Sequence, residues 1–280
     1  MLIILIVIFV LLIIDPNISK TAIMESASLW LYSLIPVLFP SLVITEMMAN
    51  ERLLDKLCYA LYKPFRFLFN INYPKSVYLI LISIICGSPA NANAIKLAYD
   101  NGDIDMDEAK SILYVFSSLS LSYSIYVLKI HKVNLLFYYC LTIILSIMLM
   151  HLLNKAKDTT TGYKNKIYDK RIKVFFKAIK ASISTLFTVL GTITLFNILI
   201  AIFFKKDIFL YPYLEILGGI EYINKKRLGT IFLVSSLSFL SLSVHFQILS
   251  SDIDFSYTKF LIVRIIYSLL ISLLFFIFGG

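Results

Sequence analysis

The sequence predicts an all-α polytopic membrane protein, built as an inverted structural repeat with two re-entrant hairpins or broken helices. Three observations carry that prediction. First, 59% of the 280 residues are hydrophobic and only 15% are charged. A soluble chain is nearer half apolar and a quarter charged, so the excess must face lipid; the mean hydropathy of +0.86 agrees. Second, two apolar segments are interrupted by small polar residues, and such a break at membrane depth has to be buried in protein or line a cavity. Third, the two halves of the chain resemble each other at an offset of 149 positions. The composition excludes a soluble enzyme, a disordered chain and a nucleic-acid-binding domain. The net charge of +9 is read as Lys and Arg held in cytoplasmic loops, not as affinity for nucleic acid.

Each element follows in order. Residues 1–14 are an unbroken apolar run ending at Asp15-Pro16. They lack a basic n-region beyond the terminal amine and a small-residue cleavage site, so they read as an uncleaved first helix in an N-terminal unit, 1–24. Apolar segments at 25–49, 105–129, 133–153, 174–204 and 256–279 are each long enough to cross a bilayer. Residues 51–72 set Arg52, Asp55, Lys56, Lys63 and Arg66 among leucines and aromatics, the pattern of an interfacial amphipathic helix, here broken at Pro64. Residues 154–173 are a basic hydrophilic loop. They separate a first repeat with its linking span (25–153) from a second repeat (174–280). Cys58, Cys86 and Cys140 are widely spaced and read as small buried apolar residues.

Residues 76–99 and 225–249 are the interrupted segments. Each has an apolar leg of about ten residues, a small polar middle and a second leg. One leg cannot span about 30 Å of hydrocarbon. They read as re-entrant hairpins or broken helices; the alternative is a plain tilted span carrying a few serines. The repeat aligns 61–73 with 210–222, and Asp103-Ile104-Asp105 with Asp252-Ile253-Asp254. If 76–99 turns back, three spans separate the starts of the repeats, and an odd number inverts one relative to the other. Charge places the 154–173 loop, the N-terminus and residues 50–110 on the cytoplasmic side, although Lys225, Lys226 and Arg227 then fall outside. Asp103 and Asp252 read as N-caps of the spans that follow them.

Paired broken helices expose backbone polar groups at mid-membrane, where they can hold a polar solute. The first break offers Ser88, Asn91, Asn93 and Lys96, with Gly87 and Pro89 as the turn itself. The two asparagines either bind solute or cap the returning helix. The second break offers Ser238, Ser241, Ser243, His245 and Gln247; a lone His is otherwise a packing residue. Arg264 lies inside the last span, as a site residue or snorkelling to the interface. Ser117, Ser118, Ser120 and Ser122 are helix-packing serines or site residues. Lys96, His245 and Arg264 together favour an anionic or polar aromatic solute over a metal ion. No HExxH, GxSxG or P-loop is present, and Asp100 and Asp103 share one polar turn, unlike a two-span aspartyl protease site. The chain is therefore expected not to be an enzyme and to need no cofactor or metal.

At these residues the chain resembles the YlbJ-type sporulation integral membrane proteins, which carry the nucleoside-recognition or Gate domain. The resemblance covers most of 25–275. It is carried by SLIPVLFPSLVITEMM (33–48), CGSPANANAI (86–95), GDIDMDEAK (102–110), LSVHFQ (242–247) and VRIIYSLL (263–270). It implies a Gate-type fold and transport of a small anionic solute, dipicolinate in a spore former, across a bacterial cell or forespore membrane. Carried over by position, Pro89 marks the first hairpin, with His245, Gln247 and Arg264 on the second-repeat side. The expected function is alternating-access transport of a dipicolinate-like or nucleoside-like solute. The alternative is a non-transporting assembly or sporulation scaffold acting through the 154–173 loop. Expected partners are membrane lipid and the solute, with no nucleic acid; homo-oligomerisation is left open.

Overall fold

The computed structural model describes residues 16–49, 52–126, 132–155, 157, 171–204, 209–226 and 229–278. The expected helix over 1–14, most of the 154–173 loop and Arg227 lie outside these residues. Five helices among them are long and apolar enough to cross a membrane: Pro16–Met48, Leu136–Leu153, Ile172–Phe204, Thr230–Leu249 and Tyr257–Phe278. Large apolar side chains such as Leu152, Leu269 and Phe276 stand exposed on them, which in water would be an adhesive surface and in lipid is not. The protein is an integral membrane protein.

The first long helix is α1 (Pro16–Leu29), a π-helical turn (Trp30–Leu34) and α2 (Ile35–Met48). It packs antiparallel to α9 (Arg171–Phe204): Asn197 donates to Ser26 Oγ at 2.9 Å, and Trp30 Nε1 to the Leu186 carbonyl at 2.9 Å. Next comes α3 (Arg52–Phe69), which buries Leu54, Cys58 and Phe69 along one stripe. Pro64 does not break it, against expectation. The carbonyl that loses its partner belongs to Ala60, an exposed residue, where solvent or headgroups replace the bond.

The segment α4 (Lys75–Ile85) and α5 (Ala90–Asp100) is a hairpin. At about 1.5 Å per residue each leg is only about 16 Å long. Glu108, which follows the second leg in the chain, ties back to the start of the first: it accepts from the amides of Asn72 (2.8 Å) and Tyr73 (3.3 Å) and from the Ser76 hydroxyl. Asn154 Nδ2 reaches the same carboxylate at 3.4 Å, so the hairpin starts and finishes at the end of the molecule where the basic loop begins. We call this the loop end.

After α5, Gly102 (φ +69°) and Asp103 close a Schellman turn, with amides on the carbonyls of Tyr99 (2.9 Å) and Ala98 (2.9 Å). Asp103 is thus spent on ending α5. The N-cap of α6 (Met106–Phe116) is Asp105, which accepts from the Glu108 amide at 2.9 Å. In the second half Asp252 holds the same left-handed conformation (φ +57°), and Ser256 precedes the last helix; both N-cap expectations move downstream. After α6 the chain unwinds at 117–120, then continues as α7 (Leu121–Tyr126). Antiparallel α8 (Lys132–Leu153) follows, joined by Tyr139 to the Leu119 carbonyl at 3.3 Å. Cys58 and Cys86 are buried, but Cys140 on α8 is exposed.

Beyond α9 lie α10 (Tyr211–Leu214) and α11 (Ile216–Lys226), then α12 (Thr230–Phe239), α13 (Leu242–Leu249) and α14 (Tyr257–Phe278). Side-chain pairs fix their directions. Ser146 bonds Tyr267 at 2.7 Å and Phe137 packs on Phe275 at 5.5 Å, so α14 is antiparallel to α8 and parallel to α6. Ser235 bonds Ser268 at 2.8 Å, while the end of α12 meets the start of α14 through His245, so α12 is antiparallel to α14. Gln247 reaches Thr192 at 3.1 Å and Phe246 meets Phe196 at 5.3 Å, with Ser250 facing Ser184 and Thr188, so α13 is antiparallel to α9.

Both α12 and α13 therefore head toward the loop end. The second interrupted segment is a broken helix that runs through, not a hairpin. This corrects the inverted repeat. The first helices of the two halves do point in opposite directions, as the span count requires. The last ones, α6 and α14, run parallel, which inversion forbids; Asp254 lies 3.9 Å from Lys110, so the two Asp-Ile-Asp turns share one end. The physical difference is in the break. Gly87 and Pro89 let the first segment reverse, whereas Leu240 (φ +59°) and Ser241 only bend the second.

Candidate functional site

Four irregular stretches of backbone meet in the middle of the protein. They are the hairpin tip at 87–89, the unwound 117–120, the junction of α10 and α11 at Glu215, and the bend at 240–241, which delivers Ser243 and Val244 of α13 to the cavity bordered by the other three. The tip seats directly on the unwound segment. Ser88 N–H donates to the Ser118 carbonyl at 2.7 Å, and Ser118 Oγ to the Ser83 carbonyl at 3.2 Å. Gly87 is required there: it sits at φ +64°, and a Cβ would lie 2.3 Å from Ser120 N. The Ser88-Pro89 peptide is cis.

Two cavities flank this junction. The inner one, about 40 Å³, is bounded by Ser88, Pro89, Ser120, Glu215, Ser243 and Gln247, with a leucine and valine wall. Glu215 is fully buried and accepts the amides of Leu217 (2.9 Å) and Gly218 (2.7 Å), which caps α11. The outer cavity, about 250 Å³, is lined by Glu46, Asn93, Ser184, Thr185, Thr188 and Gln247, with Ser250, Pro89, Ala181 and Val189. That is far more than a single water needs. Pro89, Val189 and Gln247 border both. Asn93 donates to Thr185 Oγ1 at 2.8 Å, and Gln247 to Thr192 Oγ1 at 3.1 Å, so each broken segment is tied to α9 by one amide.

The candidates from the sequence divide between these cavities and other places. Ser88, Pro89, Asn93, Ser243 and Gln247 line the cavities, and Gly87 is the turn beside them. Asn91 is fully buried behind the turn, accepting from Ser88 Oγ at 2.9 Å and donating to the Phe116 carbonyl at 3.4 Å. Lys96 is paired with Asp100 on its own helix and lines neither cavity. His245 is enclosed by Phe239, Tyr257 and Phe260, with Nε2 3.0 Å from the Phe239 carbonyl and Nδ1 3.3 Å from Tyr257 OH. It ties α13 back to α12 and away from the cavity lining.

Arg264 is also elsewhere. It is 2% exposed and donates to the carbonyls of Ser117 (2.5 Å), Tyr114 (2.5 Å) and Val115 (3.2 Å), the C-terminal end of α6. It neither snorkels nor reaches the cavities. The three cations expected to act together are thus separated, and the lining holds two carboxylates, Glu46 and Glu215, instead.

Sequence reasoning missed those two acids and the hydroxyl face of α9. A signal for the latter is present: Ser184, Thr185, Thr188 and Thr192 recur at helical spacing in an otherwise apolar span. No signal marks Glu215, because its place depends on three other chain breaks. Among the described residues, no group of three or more His, Cys, Asp or Glu is placed to hold a metal ion. No family model, curated protein or solved structure matches the chain.

Proposed function

We propose that the chain is a membrane carrier for a small, uncharged polar solute, held in the outer cavity between α9, the hairpin and α13. The observation that carries this reading is the cavity of about 250 Å³ lined by two amides, four hydroxyls and one carboxylate at the meeting of broken helices. Backbone irregularity inside a membrane protein is costly unless it is enclosed or lines a polar cavity. Donors and acceptors of this kind match hydroxyl and amide groups of a nucleoside-like solute. A dianion such as dipicolinate fits poorly, since no Lys or Arg lines the cavity and its one ionisable side chain is a carboxylate, Glu46. The Gate-type resemblance at 242–247 and 263–270 supports solute handling.

Access alternates locally in this proposal, not by rocking of two equivalent halves. The Asn93–Thr185 and Gln247–Thr192 bonds latch the hairpin and α13 to α9. An entering solute takes over both amides, releases the latches and lets the two bent segments shift. The test is uptake into proteoliposomes loaded with the purified protein, using labelled nucleosides, polyols and dicarboxylates. Asn93→Ala and Gln247→Ala should each cut uptake at least about tenfold, a loss of one or two hydrogen bonds to substrate, while Lys96→Ala leaves it unchanged. Uptake of none of the panel, or unchanged uptake in both amide variants, rejects the proposal.

A further inference from the structure

A separate chamber lies on the other side of the unwound 117–120 segment. It is about 30 Å³ and is bounded by Arg264, Ser117, Tyr138, Thr142, Ser146 and Tyr267. No carboxylate lines it. Its charge is set by Arg264, which is buried to 2% exposure. The Arg264 guanidinium lies 4.3 Å from the centre of the Tyr267 ring and 5.6 Å from that of Phe260.

The three carbonyls that Arg264 engages are the end of α6, worth roughly half a negative charge. A full cation in a low-dielectric interior is therefore only partly offset, and an uncompensated buried charge is expensive. One donor also remains over: Arg264 Nε has no hydrogen-bond partner. Two unrelated facts thus point at the same gap, an unbalanced charge and an unused N–H, both beside a chamber walled by hydroxyls.

We propose that this chamber binds a small monovalent inorganic anion, chloride being the one of fitting size. Arg264 supplies the charge, and Arg264 Nε and the phenol of Tyr138 supply the hydrogen bonds, the other hydroxyls of the wall being already engaged with backbone carbonyls or with one another. The volume holds one halide and excludes gluconate or sulfate with its shell. The site is distinct from the solute cavity, because none of its lining residues borders either of the two cavities described above.

The test uses the whole purified protein in detergent. Thermal melting is followed while sodium chloride replaces sodium gluconate at constant ionic strength, for wild type, Tyr138→Phe and Arg264→Gln. Crystals soaked in bromide are examined for anomalous scattering. Chloride should raise the wild-type midpoint by about 5 °C at saturating concentration, less in Tyr138→Phe and not at all in Arg264→Gln. A bromide peak should lie within hydrogen-bonding distance of Arg264. If Arg264→Gln fails to fold, Tyr138→Phe and the bromide peak decide. Equal wild-type midpoints in the two salts, a chloride effect that survives in Arg264→Gln, or bromide peaks only elsewhere would each overturn the proposal.

Discussion

Replacing Gly87 by Ala should do far more damage than replacing Gly102, although both residues are left-handed, at φ +64° and +69°. The left-handed conformation alone costs an alanine about 1–2 kcal/mol, and this applies to both. Around Gly102 nothing lies within 4 Å of an added Cβ, so that is the whole effect. At Gly87 the methyl would sit 2.3 Å from Ser120 N and 2.6 Å from both Leu119 C and Ser118 O. All three are backbone atoms of a buried segment and cannot swing aside as a side chain would. Forcing them apart adds an overpacking cost of about 1–3 kcal/mol. It also stretches the Ser88–Ser118 hydrogen bond, worth about 1 kcal/mol. Gly87→Ala should therefore lose about 2–4 kcal/mol more than Gly102→Ala. Thermal unfolding of both variants in detergent micelles reads this directly, as a midpoint lower by several degrees for Gly87→Ala. Equal midpoints would mean that the hairpin tip does not press on the unwound segment, and the central junction described above would be wrong.

Three further outcomes follow from the same geometry. Single cysteines at Asp103 and Asp252, introduced into a variant lacking Cys140, should react with a membrane-impermeant maleimide from the same side; labelling from opposite sides would restore the inverted arrangement. Lys75→Met removes the cation 2.8 Å from Asp55, a pair only 8% and 11% exposed, and should destabilise by about 3–5 kcal/mol. Adding Asp55→Asn to it should recover most of that loss in the same melting assay. At the loop end, burial alone would raise the Asp105 carboxyl, but hydrogen bonds from Lys157 and the Glu108 amide outweigh it and hold it below its usual value. A lowered folded value means the stabilisation is present above the ordinary carboxylate pKa of about 3.9. It is lost as pH falls through the lowered one. The gap in midpoint between wild type and Lys157→Met should accordingly be constant near neutrality and close below about pH 4; a gap unchanged at pH 3 would count against the bridge.

Much of the fold is legible in the residues. Three of the long apolar runs became α8, α9 and α14 within a few positions, because hydrocarbon length dictates how many apolar residues a span needs; the run at 25–49 is part of the longer helix Pro16–Met48, and the span expected at 105–129 is broken at 117–120. The first break is legible too. Gly87-Ser88-Pro89 combines a residue free to go left-handed with one that lacks an amide, and the chain reverses there. The second break is not. Leu240 and Ser241 announce nothing, and whether α13 turns back or runs on depends on α9 and α14, which the local sequence does not contain. That single ambiguity flips the direction of everything after it, so the relation between the halves was out of reach of the 149-residue register.

The same limit applies to the site, for a physical reason. Charged side chains attract attention in an apolar sequence, yet here Lys96, His245 and Arg264 are occupied with structure. Lys96 pairs within its helix, His245 holds a carbonyl six residues back, and Arg264 caps α6 across a sequence separation of about 150 residues. The groups that shape the centre are main-chain ones. The carbonyls of Tyr114, Val115 and Ser117 hold Arg264 on one face of the unwound segment, and the Phe116 and Ser118 carbonyls hold the hairpin tip through Asn91 and the Ser88 amide. One stretch of five residues thus supports the anion chamber and one wall of the solute cavity together. A helix that stayed intact through 117–120 would spend those carbonyls on its own hydrogen bonds. Neither the arginine nor the hairpin would then have a seat. Breaking α6 is therefore what assembles the site, and a broken backbone is an acceptor set that no side-chain motif records.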